Sequence, residues 1–278
     1  MTTYAHPEVL VDTQWVADHL NDPKVRILEV DINPTAYNAG HIPGALFLNV
    51  VGTILQPDFR TIMDKSAVEA LCARSGIAND TTVVACGGDF IAFGAWMFWY
   101  LKIFGHRDVR VLNGNRKKWS DEGRPLSTEA PTITPSTYVA QSPDFTPRAS
   151  QTNVRAAIGS PGTVLIDTRR PEEYRGELFM MEPPKDNERA GHIPGATYLY
   201  YEDALNPNGT FKSRAELETL YRGKGITPEK DAITYCAVGI RAAHTWFVLT
   251  QLLGYPRVRS YDGSWNEWGR LADTPIES

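Results

Sequence analysis

Cysteine is scarce in this chain. Three are present, Cys72, Cys86 and Cys236, and they lie far apart. An odd, small number with wide spacing does not make a disulfide framework. No two of them form a Cys-x-x-Cys pair, so neither a thiolate zinc site nor any other metal or cofactor is expected. Long apolar runs are also lacking. The longest, residues 90–101, is too short to span a bilayer. Neither sign of charge dominates: 28 Lys and Arg against 33 Asp and Glu give a formal net charge of -5. Such a balance provides no general attraction to nucleic acid or anionic membrane, and neither is an expected partner. Residues 1–7 lack a basic region followed by an apolar core, so no signal peptide is expected. Together these absences point to a reducing, cytoplasmic setting.

What the chain does have is a duplication. Its 278 residues suit two domains of ordinary size. Gly40-His41-Ile42-Pro43-Gly44-Ala45 recurs as Gly191-His192-Ile193-Pro194-Gly195-Ala196. Gly105, Gly114 and Trp119 recur as Gly254, Gly263 and Trp268, each 149 residues on. Upstream, Leu28-Glu29-Val30-Asp31 aligns with Val164-Leu165-Ile166-Asp167. A period this long indicates two domains rather than a solenoid. Between the halves, Pro131, Pro135, Pro143 and Pro147 lie among many Ser and Thr residues. Proline at that density favours an extended linker. The expected boundaries are 1–125, a linker at 126–148, and 149–278.

Within each half, β-branched runs alternate with helical stretches. In the second half, strands are expected at 163–167, 232–235 and 258–261. Helices are expected at 213–223 and 242–253, the first with Ser213 as cap and Glu216 completing a capping box. This alternation predicts α/β domains, each a mostly parallel sheet flanked by helices. Functional sites in such sheets lie beyond the carboxyl ends of strands.

Cys236 occupies that location. An apolar run ends in Tyr235-Cys236, Ala237-Val238-Gly239 turns, and Ile240-Arg241 opens an apolar helical segment. A cysteine on a short loop before a helix N-terminus can be cradled by backbone amides, an arrangement that stabilises a thiolate and an anion bound to it. Gly239 permits the tight turn, and Arg241 adds a positive charge at the end of the loop.

The duplicated Gly-His-Ile-Pro-Gly-Ala motif, the Tyr-Cys-x-x-Gly-x-Arg loop and Tyr261-Asp262-Gly263-Ser264-Trp265 together resemble the two-domain rhodanese family. Its nearest members are the thiosulfate and 3-mercaptopyruvate sulfurtransferases. The resemblance covers nearly the whole chain and implies two tandem rhodanese-like domains, the second catalytic. It implies a Cys236 persulfide that carries sulfane sulfur from a small donor to a thiophilic acceptor, cyanide or a thiol. A protein thiol is compatible as acceptor. It assigns Ala237, Val238, Gly239, Ile240 and Arg241 to the loop that holds the substrate. Basic residues before the Gly-His-Ile-Pro motif, here Arg175 and Arg189 in an insertion absent from the first half, are implied to bind the donor's anionic end.

The first half has lost the nucleophile. The offset of 149 sets Gly87 opposite Cys236, with Cys86 one residue earlier as a strand-end structural cysteine. Cys72, in the helical run 67–74, packs. His41 and His192 recur in a half without a nucleophile, so they are expected to stabilise turns, and His244 to pack or cap. Asp262 and Trp265 are expected to border the pocket.

Thiosulfate is the expected donor. Val238 carries no hydroxyl to relay a proton to a pyruvate enolate, so 3-mercaptopyruvate is the alternative. Two other classes compete. Cysteine phosphatases use Cys-x5-Arg, one residue longer than the stretch from Cys236 to Arg241, and phosphate needs that longer wrap. A non-catalytic sulfur carrier or interaction module would keep the fold without turnover, although intact Cys236 and Gly239 argue for chemistry.

Overall fold

The computed structural model describes residues 3–278, which divide into two compact units. Residues 6–144 and 206–211 form the first; residues 3–5, 145–205 and 212–278 belong to the second.

The first unit runs β1 (Leu10–Val11), α1 (Thr13–Asp18), β2 (Val25–Asp31), α2 (Thr35–Ala39), β3 (Leu46–Asn49), α3 (Lys65–Arg74), β4 (Thr82–Gly87), α4 (Ala92–Ile103), β5 (Val109–Leu112) and α5 (Arg116–Asp121). Its sheet has the order β1-β5-β4-β2-β3. The second unit runs β6 (Arg148–Ala149), α6 (Gln151–Ala157), β7 (Thr163–Asp167), α7 (Pro171–Tyr174), β8 (Thr197–Tyr198), α8 (Arg214–Arg222), β9 (Asp231–Tyr235), α9 (Ile240–Phe247), β10 (Val258–Tyr261) and α10 (Ser264–Trp268). Its sheet has the order β6-β10-β9-β7-β8. Position for position the two orders are the same, and every strand pair is parallel. The α/β class and the parallel sheets expected from the sequence are what form.

The physical basis is burial on both faces. In β7 the residues Val164 to Asp167 are all buried, and in β9 the residues Ala232 to Tyr235. Only a strand covered by helices on both sides can be apolar throughout. α8 forms where expected, with Ser213 and Glu216 making a reciprocal capping box. α9 differs from expectation: it starts at Ile240 because Gly239 takes a left-handed conformation and turns the chain into the helix at once. Its end loosens into a π-helical turn at Val248–Leu252.

The repeated Gly-His-Ile-Pro motif does the same work in both units. His41 stacks on Tyr37 with ring centroids 3.8 Å apart, and His192 stacks on Tyr174 at 3.9 Å. Each ring nitrogen Nδ1 contacts the stacked tyrosine's own carbonyl, at 3.0 and 3.1 Å. The backbone of His41 exchanges hydrogen bonds with Ser127, and that of His192 with Glu277. Both histidines fasten a turn to the tail of their own unit. Residues 126–144 run extended along the first unit, with Tyr138 buried beside His106. The backbone amides of Ser136 and Gln141 donate to Ala73 and Phe104.

The strand register corrects one alignment. Asp167 pairs with Tyr235 and Tyr198, whereas Glu29 pairs with Cys86 and Phe47. Glu29, not Asp31, is therefore the counterpart of Asp167. Glu29 is buried and meets Arg116 at 3.1 Å. Burial pushes its carboxyl up to about 7, with Asp31 and Asp89 adding to the shift and Arg116 opposing it. The folded unit thus holds the Glu29 proton to a higher pH than the unfolded chain does. Its stability should fall as pH rises from about 4.5 to about 7 and then level off. We expect Glu29→Gln to remove that slope, as measured by urea unfolding on either side of the window. A slope of the same size in the variant would assign it to other groups.

Candidate active site

Cys236 follows β9, the central strand, and the loop Thr168–Arg170 follows its neighbour β7. From β7 the chain moves outward to β8, then crosses back to β9 on the other side. The two loops therefore diverge at a topological switch point, where an open parallel sheet leaves a crevice.

Cys236 is fully buried, and its Sγ accepts a hydrogen bond from the Gly239 amide at 3.1 Å. Gly239 has φ +90°, and a Cβ there would lie 2.8 Å from both Cα and O of Asp262. Two separate demands therefore exclude a side chain: the left-handed backbone and the contact with the loop after β10. The same neighbouring loop holds the cysteine from the other side. The Cys236 amide donates to Ser264 Oγ at 3.0 Å, and the amides of Trp265 and Asn266 donate to the carbonyls of Cys236 and Ala237. Ser264 has φ +51° despite its side chain, and its Oγ lies 4.0 Å from the cysteine sulfur. Backbone strain of this kind costs about 1–3 kcal/mol and persists only where surrounding contacts enforce it.

Charge around this loop is arranged in pairs. Arg241 is buried and donates to both Glu173 oxygens, at 2.6 and 2.8 Å. Burial works against its charge. The Glu173 hydrogen bonds, with the negative charges of Cys236, Glu173 and Asp167, outweigh that effect and raise its pKa. Arg169 and Asp167 form a second pair, both fully buried, and the Arg169 guanidinium lies 4.4 Å from the Trp265 ring centroid. Arg148 holds Asp262 at 2.7 and 3.1 Å. His244, on α9, is fully buried; burial lowers it to about 3, so it stays neutral and packs against Tyr201.

The structure thus places Cys236, Ala237, Val238 and Gly239 in one loop, Ile240 and Arg241 in the first turn of α9, and Asp262 and Trp265 against the loop. Arg189 and Arg175, also expected at the site, both have partners of their own in the structure. The Arg189 guanidinium is committed to the carbonyls of Trp268, Leu271 and Thr274 and to the Thr274 hydroxyl. It clamps the C-terminal segment. Arg175 is exposed and answered by Glu177 at 2.7 Å and Glu172 at 3.9 Å. Glu173 was missed by sequence reasoning. An acidic residue in the first turn of α7, after Pro171, reads as ordinary helix capping. Its partner lies 68 residues away.

In the first unit the equivalent loop turns tightly after Gly87. A Cβ on Gly87 would stand 2.2 Å from the carbonyl oxygen of Phe90. Asp89 pairs with Arg116, and a cleft of about 460 Å³ beside it is lined by Asp31, Asn33, Thr35, Ala36, Asp89 and Phe90. Cys86 is buried, and burial raises its thiol well above the ordinary cysteine range. Among the described residues no cluster of His, Cys, Asp and Glu could hold a metal ion, and no helix is long and apolar enough to cross a membrane.

A rhodanese-like domain is matched twice along the chain, at residues 12–122 and 150–271. The chain belongs to the rhodanese-like domain family. It is 48% identical over 278 residues to the "Sulfur carrier protein TtuD" of Thermus thermophilus, covering 98% of each chain. It is 43% identical to a Mycolicibacterium smegmatis protein named "Putative thiosulfate sulfurtransferase", over 98% of this chain and 99% of that one. Among solved structures, it is similar to the anaerobic ergothioneine biosynthesis enzyme of Chlorobium limicola bound to trimethyl histidine. The TM-score is 0.88 and the identity 25%, over 100% of this chain and 72% of that one. These relatives place the chain among rhodanese-fold sulfurtransferases.

Gly239 gives a direct test of the loop geometry. Gly239→Ala adds left-handed strain and a clash with the Asp262 backbone, expected to cost about 2–4 kcal/mol. Urea unfolding should report the loss, and iodoacetamide should alkylate Cys236 at an altered rate at fixed pH. A variant with wild-type stability and alkylation would show that the loop tolerates another path.

Proposed function

We propose that the second unit is a sulfurtransferase that uses thiosulfate as donor and carries the sulfur as a persulfide on Cys236. The observation that carries this reading is the Gly239 amide directed at the Cys236 sulfur within a loop held open by Gly239 itself. An amide there stabilises a sulfur anion and is in place before the donor arrives.

The chemistry balances without a redox partner. The Cys236 thiolate attacks the outer sulfur of thiosulfate. A new S–S bond forms, the bond between outer sulfur and sulfonate breaks, and its electron pair leaves with sulfite. The persulfide anion then loses its outer sulfur to cyanide, forming thiocyanate, or to a thiol, and the Cys236 thiolate returns. Arg241 contributes positive charge near the sulfur while Glu173 holds it in place. Val238, half-buried beside the cysteine, offers no proton relay for an enolate. Thiosulfate is therefore favoured over 3-mercaptopyruvate.

One observation favours a second reading. The relative that is 48% identical bears the name of a sulfur carrier. In that reading the Cys236 persulfide forms in the same way, but its acceptor is a protein thiol and turnover with cyanide is slow.

Intact mass before and after thiosulfate tests the shared core of both readings. Wild type should gain one sulfur atom, Cys236→Ser none, and Cys86→Ser the same as wild type. A persulfide that persists in Cys236→Ser would move the nucleophile, with Cys86 the first suspect. Steady-state kcat/KM with cyanide should favour thiosulfate over 3-mercaptopyruvate; the reverse order would overturn the donor while leaving the persulfide intact.

A further inference from the structure

Two buried carboxylate–arginine pairs stand around the cysteine loop, and the duplicated unit tells them apart. The pair of Asp167 and Arg169 has a counterpart there in Glu29 and Arg116. The pair of Glu173 and Arg241 has none. Tyr37 and Tyr174 stack on equivalent histidines, which sets Ala36 opposite Glu173. The offset that sets Gly87 opposite Cys236 sets Ala92 opposite Arg241. Both members of this pair are therefore missing from the unit that lacks the nucleophile, while the other pair is kept. The sheet forms without Glu173 and Arg241; they go with the cysteine.

The pair is held firmly. Arg241 lies in the first turn of α9, and the charges of its guanidinium and of the Cys236 sulfur act on each other. Glu173 lies on α7 and is 1% exposed. Its Oε2 accepts Arg241 Nη1 at 2.6 Å and the Arg170 amide at 3.0 Å, and its Oε1 accepts Arg241 Nη2 at 2.8 Å. The carboxylate is thus anchored by its own helix and grips the guanidinium with both oxygens. Its charge also opposes that of Arg241. The other charges about the loop are paired separately, Arg169 with Asp167 and Arg148 with Asp262. Burial keeps His244 neutral and raises the Tyr200, Tyr201 and Tyr235 phenols.

We propose that Glu173 is a positioning residue that sets, through Arg241, how strongly negative charge is held on the Cys236 sulfur, and so balances loading of the persulfide against its discharge. This rests on the persulfide reading above and deepens it. On loading, the Cys236 electron pair forms the S–S bond, so its charge leaves the Cys236 sulfur. Sulfite departs with the pair of the broken bond, and the terminal sulfur is left anionic. On discharge, cyanide takes the terminal sulfur and the S–S pair returns to Cys236. A stronger positive field at Cys236 therefore slows the first step and speeds the second. The attacking thiolate becomes less nucleophilic, and the departing one leaves faster. Arg241 alone would favour discharge; Glu173 restrains it.

The test is the rate of each half-reaction on the full chain, by rapid quench and intact mass. Loading is measured at saturating thiosulfate, and discharge of the isolated persulfide at saturating cyanide. Glu173→Gln removes the opposing charge and keeps a carbonyl acceptor. Alkylation of Cys236 by iodoacetamide should then reach half its limit at a pH about one unit lower than in wild type. With a Brønsted slope of about 0.4–0.5, maximal loading should slow about threefold and maximal discharge should quicken by a similar factor. Glu173→Leu combined with Arg241→Met replaces the whole pair with apolar residues of similar size, a change that buried ion pairs often tolerate. It should shift all three readouts the opposite way, because Arg241 is the member whose charge acts on the sulfur. This double variant decides the matter if the single variant does not fold. A merely structural role would slow both half-reactions together. Half-reactions that change in the same direction or not at all, or an alkylation midpoint that does not move, would overturn the role of Glu173 and leave the persulfide standing. Wild-type protein that never gains a sulfur atom would overturn both.

Discussion

The contact between Gly239 and the backbone of Asp262 is the constraint on which the site depends. With φ +90° and no Cβ, Gly239 turns the chain from β9 into α9 within three residues of Cys236. The turn aims its amide at the sulfur and brings the loop against the segment after β10. That segment then supplies the remaining fasteners, through Ser264 to the Cys236 amide and through Trp265 and Asn266 to the loop carbonyls. The cysteine therefore sits in a cradle whose two sides come from different strands of one sheet. Neither side would hold its shape without the other.

Electrostatics follow from the same burial. A sulfur anion enclosed by protein needs positive charge nearby, but an unpaired buried guanidinium is costly. The structure resolves this with compensated pairs. Glu173 fixes Arg241 in orientation while the guanidinium still acts on the sulfur, and Asp167 holds Arg169 against the Trp265 ring. The result is a loop neighbourhood that is polar but nearly neutral.

The two units share most of what surrounds the loop after the central strand. The two sheets share strand order, turn histidines and a buried carboxylate–arginine pair, Asp167 with Arg169 and Glu29 with Arg116. What differs is the chain path after the central strand. In the first unit the Phe90 carbonyl occupies the space where a side chain at Gly87 would begin, and Asp89 captures Arg116.

The sequence by itself determined the duplication, the α/β class, the strands flanking the site and the candidate nucleophile. These are local matters: apolar period, capping chemistry, and a glycine three residues past a cysteine at a strand end. Ser213 with Glu216 and the apolar run 232–235 were readable for that reason. The partners of the arginines were decided only by tertiary structure. Arg189 is held by carbonyls of the C-terminal segment, and Arg241 by a glutamate 68 residues distant. Such pairings depend on which loops meet at the end of a parallel sheet. The register of Glu29 against Asp167 was misread for the same reason, since strand pairing is set by burial across neighbouring strands and not by the residues of one strand.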